Sequence, residues 1–260
     1  MGLFFADDEK HIEGVRPVGF PRYQQLLEHN FKEFFLVGFI ALVLLIPYGL
    51  GIAYALLSKS ILVMLLSGIA GGAVAGPGIA CMYDLILRRL RDDKSDWWYC
   101  FKKSMKQNWK ASILPGIVQC VFLGFLIFSC AMMWWAQRPL SLGSLAVLAL
   151  SAVFFLAVLS VWWPQVVLFE QKTPARLKNA VGFILFHPGR SLGAALLQAA
   201  WWLIAFLFLP WSAFLVPFLN VWYILFLAVF MLYRPMNEAF QIEEQIEEHF
   251  PGQIQIGDED

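Results

Sequence analysis

Six stretches of this chain carry no charged residue and run for at least 19 residues each. They are Phe34–Leu57, Ile61–Tyr83, Ala111–Ala136, Leu142–Phe169, Ser191–Leu209 and Trp211–Tyr233. The hydrocarbon core of a bilayer, about 30 Å thick, is crossed by about 20 apolar residues of helix. The pattern therefore predicts an all-α membrane protein with six transmembrane helices. Composition points the same way, since 60% of residues are hydrophobic and 15% charged, against roughly 25% charged in an ordinary soluble domain. A soluble globule so poor in charge would expose large apolar patches. An ordinary cytosolic domain, a disordered chain and a nucleic-acid binder relying on net positive charge are all excluded.

The connections set the expected orientation. Lys59 and Arg138 mark two tight turns and Pro210 breaks the last pair, so the spans read as three helical hairpins. Seventeen of the 19 basic residues, and all 19 acids, fall on the opposite side from Lys59 and Arg138. The positive-inside rule then places both termini in the cytoplasm. The chain divides into a cytoplasmic segment with an interfacial helix (1–33), a six-helix transmembrane domain (34–233) and an acidic cytoplasmic tail (234–260). The acidic start, Met1 to Asp8, lacks the basic region of a cleavable signal peptide. Cys81, Cys100, Cys120 and Cys130 have no metal-ligand spacing and read as small hydrophobes.

The hairpins resemble one another. Asn30 and Asn108 lie 78 residues apart, while Ser112 and Ser191, like Gln119 and Gln198, lie 79 apart. Such spacing predicts three pseudo-repeats, each an amphipathic interfacial elbow helix followed by a hairpin. Before the first span, Tyr23, Leu27 and Phe31 follow Pro21 on one face. Before the third, Trp97, Trp98, Phe101, Met105 and Trp109 alternate with Lys102, Lys103 and Lys106. Before the fifth, Thr173 can cap a helix whose apolar stripe is Leu177, Val181, Ile184 and Leu185, with Arg176 and Lys178 off it. Helices of this kind lie in the headgroup plane with basic faces toward anionic lipid. Candidate elbow and interface contacts are Asn30, Lys32, Asn108, Lys110, Lys178, Asn179 and Arg190.

Two segments carry a family resemblance. The first is Gly76-Pro77-Gly78 through Leu90, followed by Phe101-Lys102-Lys103-Ser104-Met105-Lys106-Gln107-Asn108-Trp109-Lys110; the second is Trp163-Pro164 through Glu170, then Leu177-Lys178-Asn179-Ala180. Together they resemble the YesL family of bacterial membrane proteins over roughly residues 20–235. The departures are Trp162/Trp163, where the family commonly leads its aromatic pair with Tyr, and a long acidic tail. The resemblance implies a multi-pass protein of the bacterial inner membrane associated with carbohydrate uptake, and it brings no catalytic residues with it.

No Asp, Glu, Lys, Arg or His lies within the six spans, unlike the usual ion-coupled transporter. Asp84 and Glu170 stand just beyond the second and fourth spans, where Lys110 or Arg190 could pair with them. Gln119, Gln198 and Asn220 are candidates for a polar intramembrane site, with interhelical hydrogen bonding as the plainer account. Gly68, Gly72 and Gly76 form a small-residue stripe for close helix packing. Pro47, Pro77, Pro115, Pro164 and Pro217 would break or kink their helices. The tail helix, net acidic, should be repelled by anionic lipid and dock on basic loops or on a partner. The expected function is a non-enzymatic membrane accessory protein, working with a carbohydrate uptake system. Its expected partners are anionic headgroups and, through the tail, a transporter or cytoplasmic regulator, with no nucleic acid and no cofactor or metal. The alternative is a permease for a neutral solute such as a sugar.

Overall fold

Helix boundaries follow the capping residues. The structure is a computed structural model and describes residues 14–17, 19–93, 95–137, 141–208, 211–249 and 256–258, with the side chains of 14–16, 213–220, 249 and 256–258 outside that description. The described helices are α1 (Phe20–Ser58), α2 (Ile61–Leu90), α3 (Trp97–Trp135), α4 (Leu142–Leu168), α5 (Thr173–Phe186), α6 (Pro188–Leu207), α7 (Trp211–Phe240) and α8 (Ile242–His249). Two three-residue strands, β1 (Gly14–Arg16) and β2 (Ile256–Asp258), pair in parallel with Gly14 opposite Ile256. Five helices, α1, α2, α3, α4 and α6, are long and apolar enough to cross a membrane. The architecture is that of a multi-pass, all-helical membrane protein. The predicted sixth span falls on α7, a helix of 30 residues.

Short caps make the tight turns. Lys59 ends α1 in the left-handed conformation (φ 51°), and its N–H reaches the carbonyls of Ala55 and Leu56. The Ser60 hydroxyl then accepts from Val63 N–H at 3.4 Å to open α2. Ser141 accepts from Ser144 N–H at 3.1 Å to open α4, and Asp96 accepts from Trp98 and Tyr99 N–H at 3.1 and 3.0 Å to open α3. Each satisfies donors that a helix start leaves orphaned. Thr173 is the first residue of α5, not its cap; Lys172 occupies the cap position without a side-chain hydrogen bond.

Two expectations are corrected. The elbows before the first and third spans are not separate helices. α1 and α3 run through Asn30 and Asn108 unbroken for 39 residues each. The break exists between α5 and α6, where His187 leaves helical geometry (φ −125°, ψ 54°) ahead of Pro188. Proline disfavours the helical conformation in the residue before it, and the first two elbows carry no proline. Of the breaks or kinks expected at Pro47, Pro77, Pro115 and Pro164, a break is excluded, since each helix continues through its proline.

α2 runs antiparallel to both α1 and α3, with Gly71 against Tyr48 and Gly78 against Ala41 on one side and Gly68 against Val121 and Gly76 against Ser112 on the other. The glycine stripe sets the closest approach, between α2 and α3. A Cβ on Gly72 would lie 2.5 Å from Gly116 O and 2.6 Å from Ile117 Cα, and one on Gly68 would lie 2.9 Å from Val121 Cα. Gly76 faces Ser112 on the same seam, while Gly71 and Gly78 admit Tyr48, Ala41 and Leu44 of α1 on the other side. α2 therefore packs against α1, α3, α4 and α7 and forms the axis of the bundle. One end, called basal here, holds β1 and β2, the α2–α3 and α4–α5 connections and α8. The distal end holds the α1–α2 turn; Arg138 and Pro210, which mark the other two expected turns, lie outside the described residues.

Burial is concentrated at the basal end. Residues 78–91 of α2 and its following turn are buried on every face, and so are residues 157–169 of α4. In contrast, none of residues 141–156 is buried. A smaller distal cluster of Tyr48, Ile52, Ala55, Met64, Cys120 and Phe128 holds α1, α2 and α3 together. The distal halves of α4 and α6 are left with exposed apolar side chains, among them Leu142, Val147, Leu150, Leu203 and Phe206. In a bilayer that surface is solvated by acyl chains rather than by water.

Candidate functional site

The basal end is built around buried charge. Arg88, with 1% of its surface exposed, donates from Nε to Asp84 Oδ2 at 3.3 Å and from Nη1 to Asp93 Oδ2 at 2.9 Å. The other Asp93 oxygen accepts from Ser95 N–H at 2.8 Å and Ser95 Oγ at 2.6 Å. Arg89 donates from Nε to Glu33 Oε2 at 2.7 Å, from Nη1 to the Asp93 carbonyl and from Nη2 to the Ser95 carbonyl at 2.6 Å. Arg22, at the start of α1, reaches Asp92 Oδ1 at 2.6 Å and the Leu90 carbonyl at 3.3 Å. Asp92 lies in the left-handed region (φ 64°), which turns the chain back under α2. Two carboxylate–guanidinium links thus tie α1 to the end of α2 and to the turn that follows it. Buried Cys100 adjoins Arg88 and Asp93, and burial pushes its thiol up to about 12, so it stays neutral there.

Arg88, Arg89 and Arg91, three of the basic residues beyond the second span, are all buried. Arg176 is likewise buried rather than off the face. Desolvation is tolerated where each charge has a partner and further hydrogen bonds, and the adjoining Asp92, Asp93 and Ser95 supply them. Asp84 pairs with Arg88 and not with Lys110. Glu170 and Arg190 are both exposed, and no ion pair joins them among the described residues.

The remaining elbow residues stay apart. Asn30 Nδ2 donates to the Leu26 carbonyl at 2.9 Å, and buried Asn108 Nδ2 donates to Ser104 Oγ at 3.1 Å. Asn179 Nδ2 donates to Gln171 Oε1 at 3.1 Å. Lys32 and Lys178 are exposed, and Lys110 lies over the Trp109 ring at 5.8 Å. Among the described residues none of these hydrogen-bonds to another, so the three elbows do not assemble into one site.

The two glutamines that lie 79 residues apart converge on α4. Gln119 Oε1 accepts from Trp163 Nε1 at 2.7 Å, and Gln198 Nε2 donates to Ser160 Oγ at 2.7 Å. Ser160 passes its own proton to the Leu156 carbonyl at 2.7 Å. Ser160 and Trp163 are three residues apart, so one turn of α4 donates a hydrogen bond to α3 and accepts one from α6. The Trp163 ring also stacks on Tyr83 at 5.8 Å, with an interplanar angle of 12°. Its face is occupied by protein, not offered to a sugar. The Asn220 side chain lies outside the described residues.

The tail returns to the bundle. Ile242 and Ile246 of α8 are buried, and Phe240 packs against Phe169 and Phe183. Tyr233 Oη donates to Glu243 at 2.6 Å, whereas Glu244, Glu247 and Glu248 point outward. The sequence reasoning missed Arg22, Glu33, Asp92, Asp93 and Ser95. The run Arg88-Arg89-Leu90-Arg91-Asp92-Asp93, in which basic residues give way to acids within six positions, carried a signal for them. No family model, curated protein or solved structure matches the chain.

Proposed function

We propose that this chain is a non-enzymatic accessory protein of the bacterial inner membrane, with six spans in three pseudo-repeated hairpins and both termini in the cytoplasm. In this reading the basal end is the cytoplasmic working face, and the YesL-like resemblance links it to a carbohydrate uptake system. One observation carries the reading: residues 78–91 of α2 are buried on every face along the bundle axis. A solute-conducting path needs that axis open or lined with polar groups; here it is filled by protein, and the charged groups are spent on one another. The repeat is supported by α1 and α3, which start 77 residues apart at Phe20 and Trp97 and end 77 apart at Ser58 and Trp135. The outward acids of α8 supply the docking surface for a basic partner.

Mild-detergent extraction of native membranes, with the full chain tagged, tests this directly. A transporter or regulator subunit should co-purify, and replacing Glu244, Glu247 and Glu248 by Gln should release it. Recovery of the chain alone, or retention of the partner by that variant, would count against the reading. The permease alternative draws on Gln119, which stays half-buried between α3 and α4. Uptake of a neutral sugar by liposomes holding the purified chain alone would replace the accessory reading with it.

A further inference from the structure

Arg176 differs from the buried arginines Arg22, Arg88 and Arg89. Among the described residues, Arg22, Arg88 and Arg89 each hold a carboxylate. Arg176, with 5% of its surface exposed, instead turns back over the end of α4, where Nη2 donates to the Phe169 carbonyl at 2.9 Å. Its Nε is buried with no hydrogen-bond partner. Burial pulls its pKa down, since nothing compensates the desolvated charge. One helical turn back along the same face of α4, Gln165 is fully buried; its Nε2 donates to the Val161 carbonyl at 3.2 Å and its Oε1 has no partner. Arg176 Nε is thus an unused donor and Gln165 Oε1 an unused acceptor, the first on a side chain tied to the Phe169 carbonyl and the second four residues earlier in the chain. Buried guanidinium groups are found with anions that accept from them.

The surroundings say which anion. α5 contains no acidic residue, and Lys178 and Arg190 on and beside it are exposed. Leu177, Leu185 and Phe186 are exposed as well. An exposed apolar edge beside a basic, acid-free one is the signature of a helix lying at the lipid headgroups. We propose that the end of α4 beneath α5 binds a phosphate group, with Arg176 as its principal ligand and a headgroup hydroxyl available to Gln165. A phospholipid headgroup and free inorganic phosphate share this chemistry. The proposal goes beyond the accessory role and does not depend on it.

The test uses the full chain in a phosphate-free maltoside detergent, followed by thermal unfolding. Short-chain phosphatidylglycerol, short-chain diacylglycerol and inorganic phosphate are titrated separately. A saturating ligand at a hundredfold excess over Kd should raise the midpoint by roughly 5 °C or more. Phosphatidylglycerol should do so and diacylglycerol should not; an equal response to inorganic phosphate would identify free phosphate as the source. Arg176→Gln, which keeps a donor for the Phe169 carbonyl, should bind at least about tenfold more weakly, while Lys178→Gln binds as the parent does. Its unbound midpoint should not fall, because an uncompensated buried cation has been removed. If that variant does not fold, Arg176→Lys is read in its place, with at least about a threefold loss expected from the missing planar fork. No response of the parent to either phosphate compound overturns the proposal. So does undiminished binding by the Arg176 variant, or an equal loss in Lys178→Gln.

Discussion

Separating Arg22 from Asp92 should loosen the junction between α1 and the α2–α3 turn. The two side chains meet at 2.6 Å with 7% and 9% of their surfaces exposed, across 70 residues of sequence. Charges about 4 Å apart attract by about 4 kcal/mol at an effective dielectric constant of 20. Removing one partner of a buried pair costs about 3–5 kcal/mol, because the other is left uncompensated. Arg22 keeps the Leu90 carbonyl at 3.3 Å and Gln25 Oε1 at 2.9 Å, which softens the loss on its side. Asp92→Asn also retains a residue type that tolerates the left-handed region. Each of Arg22→Gln and Asp92→Asn should therefore destabilise the chain by about 2–4 kcal/mol, or roughly 5–15 °C in midpoint. The double variant should lose less than the two singles together, with a coupling of about 1–3 kcal/mol. Thermal unfolding in detergent by tryptophan fluorescence reads all four species. Molar salt should leave the coupling largely intact, since buried pairs are weakly screened. Additive losses, or a coupling abolished by salt, would refute the argument and return the pair to the surface class worth about 0–1 kcal/mol.

The glycine seam gives a sharper steric test. Gly72→Ala puts a methyl against Gly116 O and Ile117 Cα, backbone atoms that cannot rotate away, and should destabilise by at least about 2 kcal/mol. Gly182→Ala in α5, where nothing lies within 4 Å, should be neutral or stabilise by up to about 1 kcal/mol, and midpoints compared in one detergent decide it. Gln198→Leu removes the bond to Ser160 Oγ and should lower stability by about 0.6–2 kcal/mol, read by the same unfolding assay. A loss above that range would mean that the glutamine does more than join α6 to α4.

Helix starts were legible because they have local causes. Ile61, Leu142 and Trp211 open both the predicted spans and the observed helices, and Ser60 and Ser141 cap the first two of these. The glycine stripe was legible for a similar reason: a period of four on a helix names a face. The basal extensions were not. Asn30 and Asn108 favour turns and caps, but in the helix interior they bond back along the chain, and only Pro188 has the steric means to break one. The charge lattice was hidden by a general difficulty. In an apolar chain, hydropathy does not separate a face against protein from a face against lipid, and basic residues beyond a span look like headgroup anchors whichever way they turn. Arg88 and Arg89 turn inward because α1 and the α2–α3 turn carry Glu33 and Asp93 to them. That meeting is set by tertiary packing across 56 residues in the case of Glu33.

The change in α4 between Leu156 and Ala157 makes the bilayer a component of the fold. Basal of that point the helix is enclosed by protein; distal of it no residue is buried, so lipid supplies the other half of its packing. Hydrophobic mismatch must then act unevenly. A thinner or thicker membrane meets a basal half already fixed by ion pairs, and the helices can tilt or spread mainly at the distal end. The chain should therefore respond to lipid thickness at its distal end, where α4 lacks protein neighbours.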